Sequence, residues 1–259
     1  MSMRLLSLDI ETTPALSWHY GMFNQNFGLK QVERKPEMLM WASHWYGEPL
    51  ATTKASWADE PGAYEDLWDR LDQATHVMGY NSNRFDLPWI NAEFKRLGVR
   101  GGKPYSPVVK VDLMLQIRKN FRNLSNKLQF TSTHLLGFEG KKDENALDLW
   151  LEMYRAEVRG DDRARQRARD RMERYCIQDV RLLPKMYKDL LPWLTGINAN
   201  LYTDDMDGCP NCPAGPEALE RRGYAYTGAG RKQRYRCRKC GTWSKAARGG
   251  EFSAVRNAK

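Results

Sequence analysis

A mixed α/β sheet flanked by helices is the fold class this sequence predicts, and the order of three kinds of segment predicts it. Strand-like runs come first, a strand–helix–strand unit follows, and helical periodicity then dominates as far as about Leu194. The 259 residues, 41% of them hydrophobic, can fill one large domain or a domain with a small appendage. No apolar run approaches a membrane span and the first residues lack the apolar stretch of a secretory leader. The expectation is a soluble, cytoplasmic protein with no membrane partner.

Each element has its own signal. Residues 3–9 form an apolar run that ends in Asp-x-Glu, a buried strand delivering Asp9 and Glu11 at i and i+2 to one face. The segment after it carries Trp18, His19, Tyr20, Phe23 and Phe27, which either line a strand-binding groove or pack over the sheet edge, with His19 structural. Residues 38–57 read as two strands around Gly47-Glu48-Pro49, a hairpin. Residues 62–73 read as a helix with Leu67, Trp68 and Leu71 on one face, and 76–81 as a short buried strand. From Asp86 the apolar positions 87, 90, 94 and 97 set a helix that Gly98 closes, and 108–114 is another strand. Gly160-Asp161-Asp162 breaks the later helical stretch, with Asp161 or Asp162 capping the next helix. The charged run that follows is a solvated face leading to Tyr175 and Asp179, four residues apart and so on one helix face. Cys176 beside them reads as a small core residue.

Asp9, Glu11, Asp86 and Asp179 thus reach one chemistry from separate elements. Carboxylates gathered on one face repel unless a cation lies between them. An all-oxygen donor set suits Mg2+ or Mn2+, and two such ions roughly 3.5–4 Å apart serve in-line phosphoryl displacement. In this scheme Asp9 bridges both ions, Glu11 and Asp179 complete the first site and Asp86 holds the second. Tyr175 positions the attacking water, because a phenol is a poor base at neutral pH. Taken singly, Asp86 is an N-cap, Tyr175/Asp179 a surface pair and Asp-x-Glu a strand end; the joint reading rests on their order and separation.

The charge is unevenly spread. Residues 208–259 hold 12 Lys and Arg against 3 Glu, the whole net +9, whereas residues 1–207 balance at 29 cations and 29 acids. A neutral body with a basic end predicts a polyanion partner, nucleic acid above a merely solubilising tail. The same end carries Cys209-Pro-Asn-Cys212 and Cys237-Arg-Lys-Cys240, two knuckles with 24 residues between them, the pattern of one structural Zn2+. The polar stretch before Cys209 sets the expected division: 1–196 a catalytic domain, 197–207 a linker, 208–259 a zinc-bearing basic tail.

The three acidic motifs resemble those of the DEDD superfamily of 3′→5′ exonucleases, whose fold is ribonuclease H-like. Asp9-Ile10-Glu11-Thr12 is similar to the first motif. Asn81-Ser82-Asn83-Arg84-Phe85-Asp86 is similar to the Asn-x-x-x-Phe-Asp second motif of proofreading domains in family B DNA polymerases. Tyr175-Cys176-Ile177-Gln178-Asp179 has the Tyr-x-x-x-Asp form of the tyrosine (DEDDy) branch. Val111-Asp112-Leu113 through Leu135-Leu136-Gly137 resembles the segment between second and third motifs. The resemblance covers roughly residues 3–194 and implies two-metal release of 5′-mononucleotides from 3′ ends, with Thr12, Asn81 and Phe85 against the nucleic acid. The run Gly230 to Gly241 looks like the second knuckle of DNA-binding zinc ribbons, and offers Arg234, Tyr235, Arg236, Arg238 and Lys239 as nucleic-acid contacts, with Trp243 as a further aromatic.

The leading expectation is a free-standing exonuclease acting on DNA, at single-stranded or duplex 3′ ends. An exoribonuclease of the same fold, an inert nucleic-acid-binding adaptor and a structure-selective endonuclease are its rivals.

Overall fold

A computed structural model describes residues 3–21, 26–138, 145–202, 207–227, 230–246 and 251–252. Phe23, the tail cations Arg248, Arg256 and Lys259, and residues 203–206 of the expected linker lie outside them. The chain divides into two compact units. One comprises residues 4–114 and 123–185; the other comprises 1–3, 115–122 and 186–259.

In the first unit, β1 (Leu5–Thr12) is the central strand. After it come β2 (Leu16–Ser17) and β3 (Val32–Arg34), which pair only with each other. β4 (Met38–Trp45) and β5 (Lys54–Trp57) form the expected antiparallel pair. Next are α1 (Ala63–Gln73), β6 (His76–Gly79), α2 (Asp86–Leu97), β7 (Val109–Asp112) and the start of α3 (Leu113–Asn120), whose residues from 115 on belong to the other unit. The sheet order is β5-β4-β1-β6-β7, with β4 antiparallel to β1 and β6 and β7 parallel to it in turn. A short α4 (Leu128–Phe130) runs into a π-helical turn, Thr131–Leu135. α5 (Ala146–Arg159) and α6 (Asp162–Leu190) follow. This is the mixed five-stranded sheet with flanking helices that the segment order predicts.

Strand alternation explains the layers. Leu6, Leu8 and Ile10 of β1 join Leu67 and Leu71 of α1 and Leu87, Ile90 and Phe94 of α2 in one core. The second core holds Met40 and Ala42 of β4 with Leu149, Trp150 and Met153 of α5 and Ala168, Met172, Cys176 and Val180 of α6. Ala42 and Met40 are the register partners of Asp9 and Glu11, so the odd residues of β1 share the face that α5 and α6 cover. Each fully buried Leu of β1 contributes about 1.5–3 kcal/mol by leaving water, which fixes which side of the strand faces which core.

Several boundaries differ from the sequence reading. The first strand runs on to Thr12, because β4 pairs with it as far as Met38, so both acids sit inside the ladder. The strand expected at 108–114 stops at Asp112, where α3 begins at once. Leu97, expected on the apolar face of α2, is 46% exposed, while Gly98 closes that helix in the left-handed region as expected. Of the two candidate caps for α6, Asp161 serves: its Oδ1 accepts from the Ala164 amide at 2.9 Å. β2, β3 and the π-helical turn carried no periodic signal long enough to be read.

The second unit holds β8 (Leu219–Thr227), β9 (Gly230–Cys237), β10 (Trp243–Lys245) and β11 (Glu251–Phe252). β9 is central and pairs antiparallel with the other three. Asn211, between the first two cysteines, is buried and donates from Nδ2 to the carbonyls of Leu191 and Leu194 at 2.9 and 2.6 Å. Ile197 and Ala199 are also buried, and the Ala199 amide donates to the Pro210 carbonyl at 2.7 Å. The polar composition of 197–207 therefore coexists with anchoring side chains in the same stretch.

Candidate active site

The central strand sets two carboxylates on the α6 side. One ligand atom each from Asp9, Glu11 and Cys176 can be chosen so that all lie within 4.8 Å of one another. The Cys176 Sγ stands 3.6 Å from Asp9 Oδ2 and 3.8 Å from the Asp9 carbonyl oxygen. Cys176 is fully buried, as expected of a core residue, but it is also part of the acidic group, which the sequence reading had not assigned to it. Burial and the charges of Asp9, Glu11 and Asp179 together push its thiol well above the usual range.

α6 brings the third motif to the same place. Asp179 is buried at 7% exposure and Tyr175 packs on the core beneath the strand. Burial first, then Asp179, Glu11 and Asp9, push the Tyr175 phenol well above its ordinary value. These four groups therefore sense one another, although Asp179 is not in the 4.8 Å group.

Asp86 arrives from the opposite helical layer. It is not the cap of α2, since Phe85 holds that position and no side chain caps the helix. The Asp86 Oδ1 instead accepts from the amide of Ile10, the residue between the two strand acids, at 3.0 Å. Burial, with the charge of Asp112 adding to it, raises its carboxyl to about 7, against the lowering effect of the hydrogen bond. Asp86 is thus tied to the backbone of the acidic strand while its carboxylate stays outside the tight Asp9–Glu11–Cys176 group.

The turn leading to Asp86 is built by residues the sequence reading passed over. The buried Asp112 carboxylate, at the end of β7, accepts from the amides of Asn81 and Asn83 at 3.0 and 3.1 Å. Asn81 itself sits at φ 65°, a left-handed position that Asn tolerates. Gly79 lets the turn fold back, because a Cβ there would meet the Ser82 Cβ at 2.4 Å. The signal for Asp112 was an acid at the end of an apolar strand, the same signal that singled out Asp9. Phe85 is 39% exposed and stands 6.4 Å from the Trp89 ring, so it is not a core aromatic. Thr12 ends β1, just past a register shift. Trp18, Tyr20 and Phe27 are 71%, 108% and 50% exposed, which removes the alternative that they pack over the sheet edge.

The donor set suits a hard divalent cation: Asp86 and Asp179 are buried and Asp9 and Glu11 half-buried, all four offer oxygen ligands, and their mutual repulsion is what a cation between them relieves. The cysteines pass a sharper test. Four thiolates around Zn2+ at about 2.3 Å stand about 3.8 Å apart. Here Cys209 and Cys240 are 3.6 Å apart and Cys212 and Cys237 3.8 Å apart, and the Asn211 amide donates to the Cys209 Sγ at 3.5 Å. This cluster could hold zinc. Arg234, Arg236, Arg238 and Lys239 are exposed in the same unit, whereas Tyr235 is half-buried.

No helix among the described residues is long and apolar enough to cross a membrane. No curated protein matches the sequence. The family model of the RNase_H superfamily matches residues 6–191, a span that takes in the sheet and all four acids. The chain belongs to the RNase_H superfamily, and its class of activity is accordingly that of a nucleic-acid-cleaving hydrolase served by divalent metal.

Proposed function

We propose that the chain is a 3′→5′ exonuclease of the tyrosine (DEDDy) type that releases nucleoside 5′-monophosphates from DNA, aided by a C-terminal zinc ribbon that binds nucleic acid. The observation that carries this reading is the meeting of two motifs: Tyr175, Cys176 and Asp179 of α6 lie electrostatically against Asp9 and Glu11 of β1. Asp9, Glu11, Asp86 and Asp179 would hold two Mg2+ or Mn2+ ions. When bound, those cations supply positive charge to the entering and departing oxygens of the phosphodiester.

The chain's own groups do the rest. Tyr175 keeps its phenolic proton at every working pH, so it donates a hydrogen bond that orients water rather than removing a proton. Asp86, whose carboxyl burial raises to about 7, would serve as a ligand in its ionised form, which a neighbouring cation favours. Asn81 and Phe85 lie on the turn that Asp112 braces and Thr12 at the strand end, and in this reading the three would seat the terminal nucleotide. Cys209, Cys212, Cys237 and Cys240 would hold one structural Zn2+.

The test is degradation of 5′-labelled single-stranded DNA, duplex DNA and RNA of one sequence in Mg2+ or Mn2+. The reading expects a ladder that shortens from the 3′ end of DNA and vanishes with Asp9→Ala or Asp179→Ala. Internal cuts, or unchanged digestion by either variant, would overturn it; preference for RNA would make the enzyme an exoribonuclease.

A further inference from the structure

The four-cysteine unit has two unlike faces. On β9 the side chains alternate, so Arg231, Gln233, Tyr235 and Cys237 share one side and Lys232, Arg234 and Arg236 the other. β10 adds to the second side, because Trp243 pairs with Arg236 and Lys245 with Arg234. Arg234, Arg236, Trp243 and Lys245 are all exposed, Trp243 at 50%, while Tyr235 on the cysteine side is half-buried. An aromatic ring is thus set among cations on an open sheet face.

The centre of that face is ordered in advance. The Arg234 guanidinium lies over the Trp243 ring, 4.8 Å from its centroid, and its Nε donates to the Arg222 carbonyl at 3.0 Å. A planar guanidinium held on an indole is itself a stacking surface for a base. Among the described residues, Glu220, the register partner of Arg236, is an acid on this side and is paired with Arg222 at 3.0 Å. The face therefore keeps a positive excess around its aromatic centre.

We infer that the Lys232–Arg234–Arg236–Trp243–Lys245 face binds single-stranded nucleic acid, with one base stacked on the Arg234–Trp243 pair and the flanking phosphates on Arg236, Lys245 and Lys232. Duplex is the wrong partner for the ring, since its bases are already stacked and only groove edges and phosphates are offered. This inference rests on the nucleic-acid role proposed for the ribbon and narrows it. Of the cations and aromatics expected from the sequence, Arg234 and Arg236 belong to the face and Tyr235 does not.

The test measures binding in full-length protein carrying Asp9→Ala and Asp179→Ala, so that no strand is consumed. Fluorescein-labelled oligo-dT and a blunt duplex are titrated by anisotropy without divalent metal, with zinc content checked for each variant. Trp243→Ala should weaken oligo-dT binding at least about tenfold and duplex binding less than about twofold, with Trp243→Phe restoring most of the loss. Arg236→Ala with Lys245→Ala should also elute earlier from heparin, a polyanion without bases, whereas Trp243→Ala should not. Tyr235→Ala should leave oligo-dT binding within about twofold if its zinc is retained. Wild-type affinity in Trp243→Ala, or equal losses on oligo-dT and duplex, would overturn the inference. Mononucleotide release by the wild-type enzyme judges the exonuclease reading separately: either result can stand without the other.

Discussion

The Cys176 thiol lies 3.6 Å from Oδ2 of Asp9, a soft donor against the carboxylate at the centre of the acidic group. Sulfur favours manganese over magnesium more than a carboxylate does. Removing it in Cys176→Ala should narrow the gap between the half-saturating concentrations of Mg2+ and Mn2+. The substitution leaves only a small void, costing about 1 kcal/mol, and should reduce turnover less than about tenfold. Metal titrations of mononucleotide release check both; an unchanged Mg2+/Mn2+ ratio would show that the sulfur does not act on the bound cation.

Tyr175→Phe separates positioning from proton transfer. Losing the hydroxyl should cut kcat roughly 10- to 100-fold and leave KM for the strand unchanged. Because the phenol is held well above its ordinary value, it contributes no alkaline limb. The pH profile of the variant should therefore keep the wild-type shape. A wild-type activity that rises with pH towards the alkaline end, and loses that rise in the variant, would show the phenol acting as a base.

Asp86 makes stability depend on pH in a defined direction. Its folded value of about 7 lies above the ordinary 3.8, so its protonated form is the one the fold favours. That contribution is complete below about 3.8 and is lost as the pH rises through about 7. Metal-free protein should accordingly show a urea midpoint that falls from about pH 4 to about pH 7 and levels off above it, and Asp86→Asn should flatten the fall. Mg2+ should raise the midpoint of the wild type at the higher pH and that of Asp86→Asn much less.

Asp112 braces the turn without belonging to the quartet. Asp112→Ala takes the partner from the part-buried amides of Asn81 and Asn83, at up to about 1–3 kcal/mol for each unsatisfied group. Urea unfolding should show that loss. Activity should fall through KM as well as kcat, since the turn carries Asn81 and Phe85 towards Asp86. A variant of wild-type stability would mean that the turn holds itself.

Cys237→Ser tests the metal of the second unit. Zinc content should drop from one ion per chain to none, and thermal unfolding should gain an early phase. Binding to long single strands should weaken, and its salt dependence should flatten, more than turnover on short oligonucleotides changes. Equal loss of both would tie the ribbon to catalysis itself.

Much of this was legible in the sequence where one physical rule acted alone. The alternation in LLSLDIET gave a strand with a core side and an acid side, and Gly98 and Gly160 closed their helices in the left-handed region. The paired cysteine knuckles were legible for the same reason, since their spacing is a short-range property. What escaped depends on contacts across the chain. The clash that excludes a side chain at Gly79 needs Ser82 folded back over it, and the bond from Ile10 to Asp86 spans 76 residues. Asp112 was visible as an acid at a strand end, but its partners come from another loop. β2 and β3 were too short to show a period.

The central strand answers to two neighbours at once. With aliphatic side chains pledged to α1 and α2 and acids pledged to α6, sliding it by a single residue would drown the carboxylates in oil and leave Leu8 and Ile10 lining a polar cleft. Insertions or deletions of one residue there should thus be lethal to folding and chemistry together, whereas swaps among Leu, Ile and Val on its greasy side should be absorbed. The strand can vary in composition but not in phase.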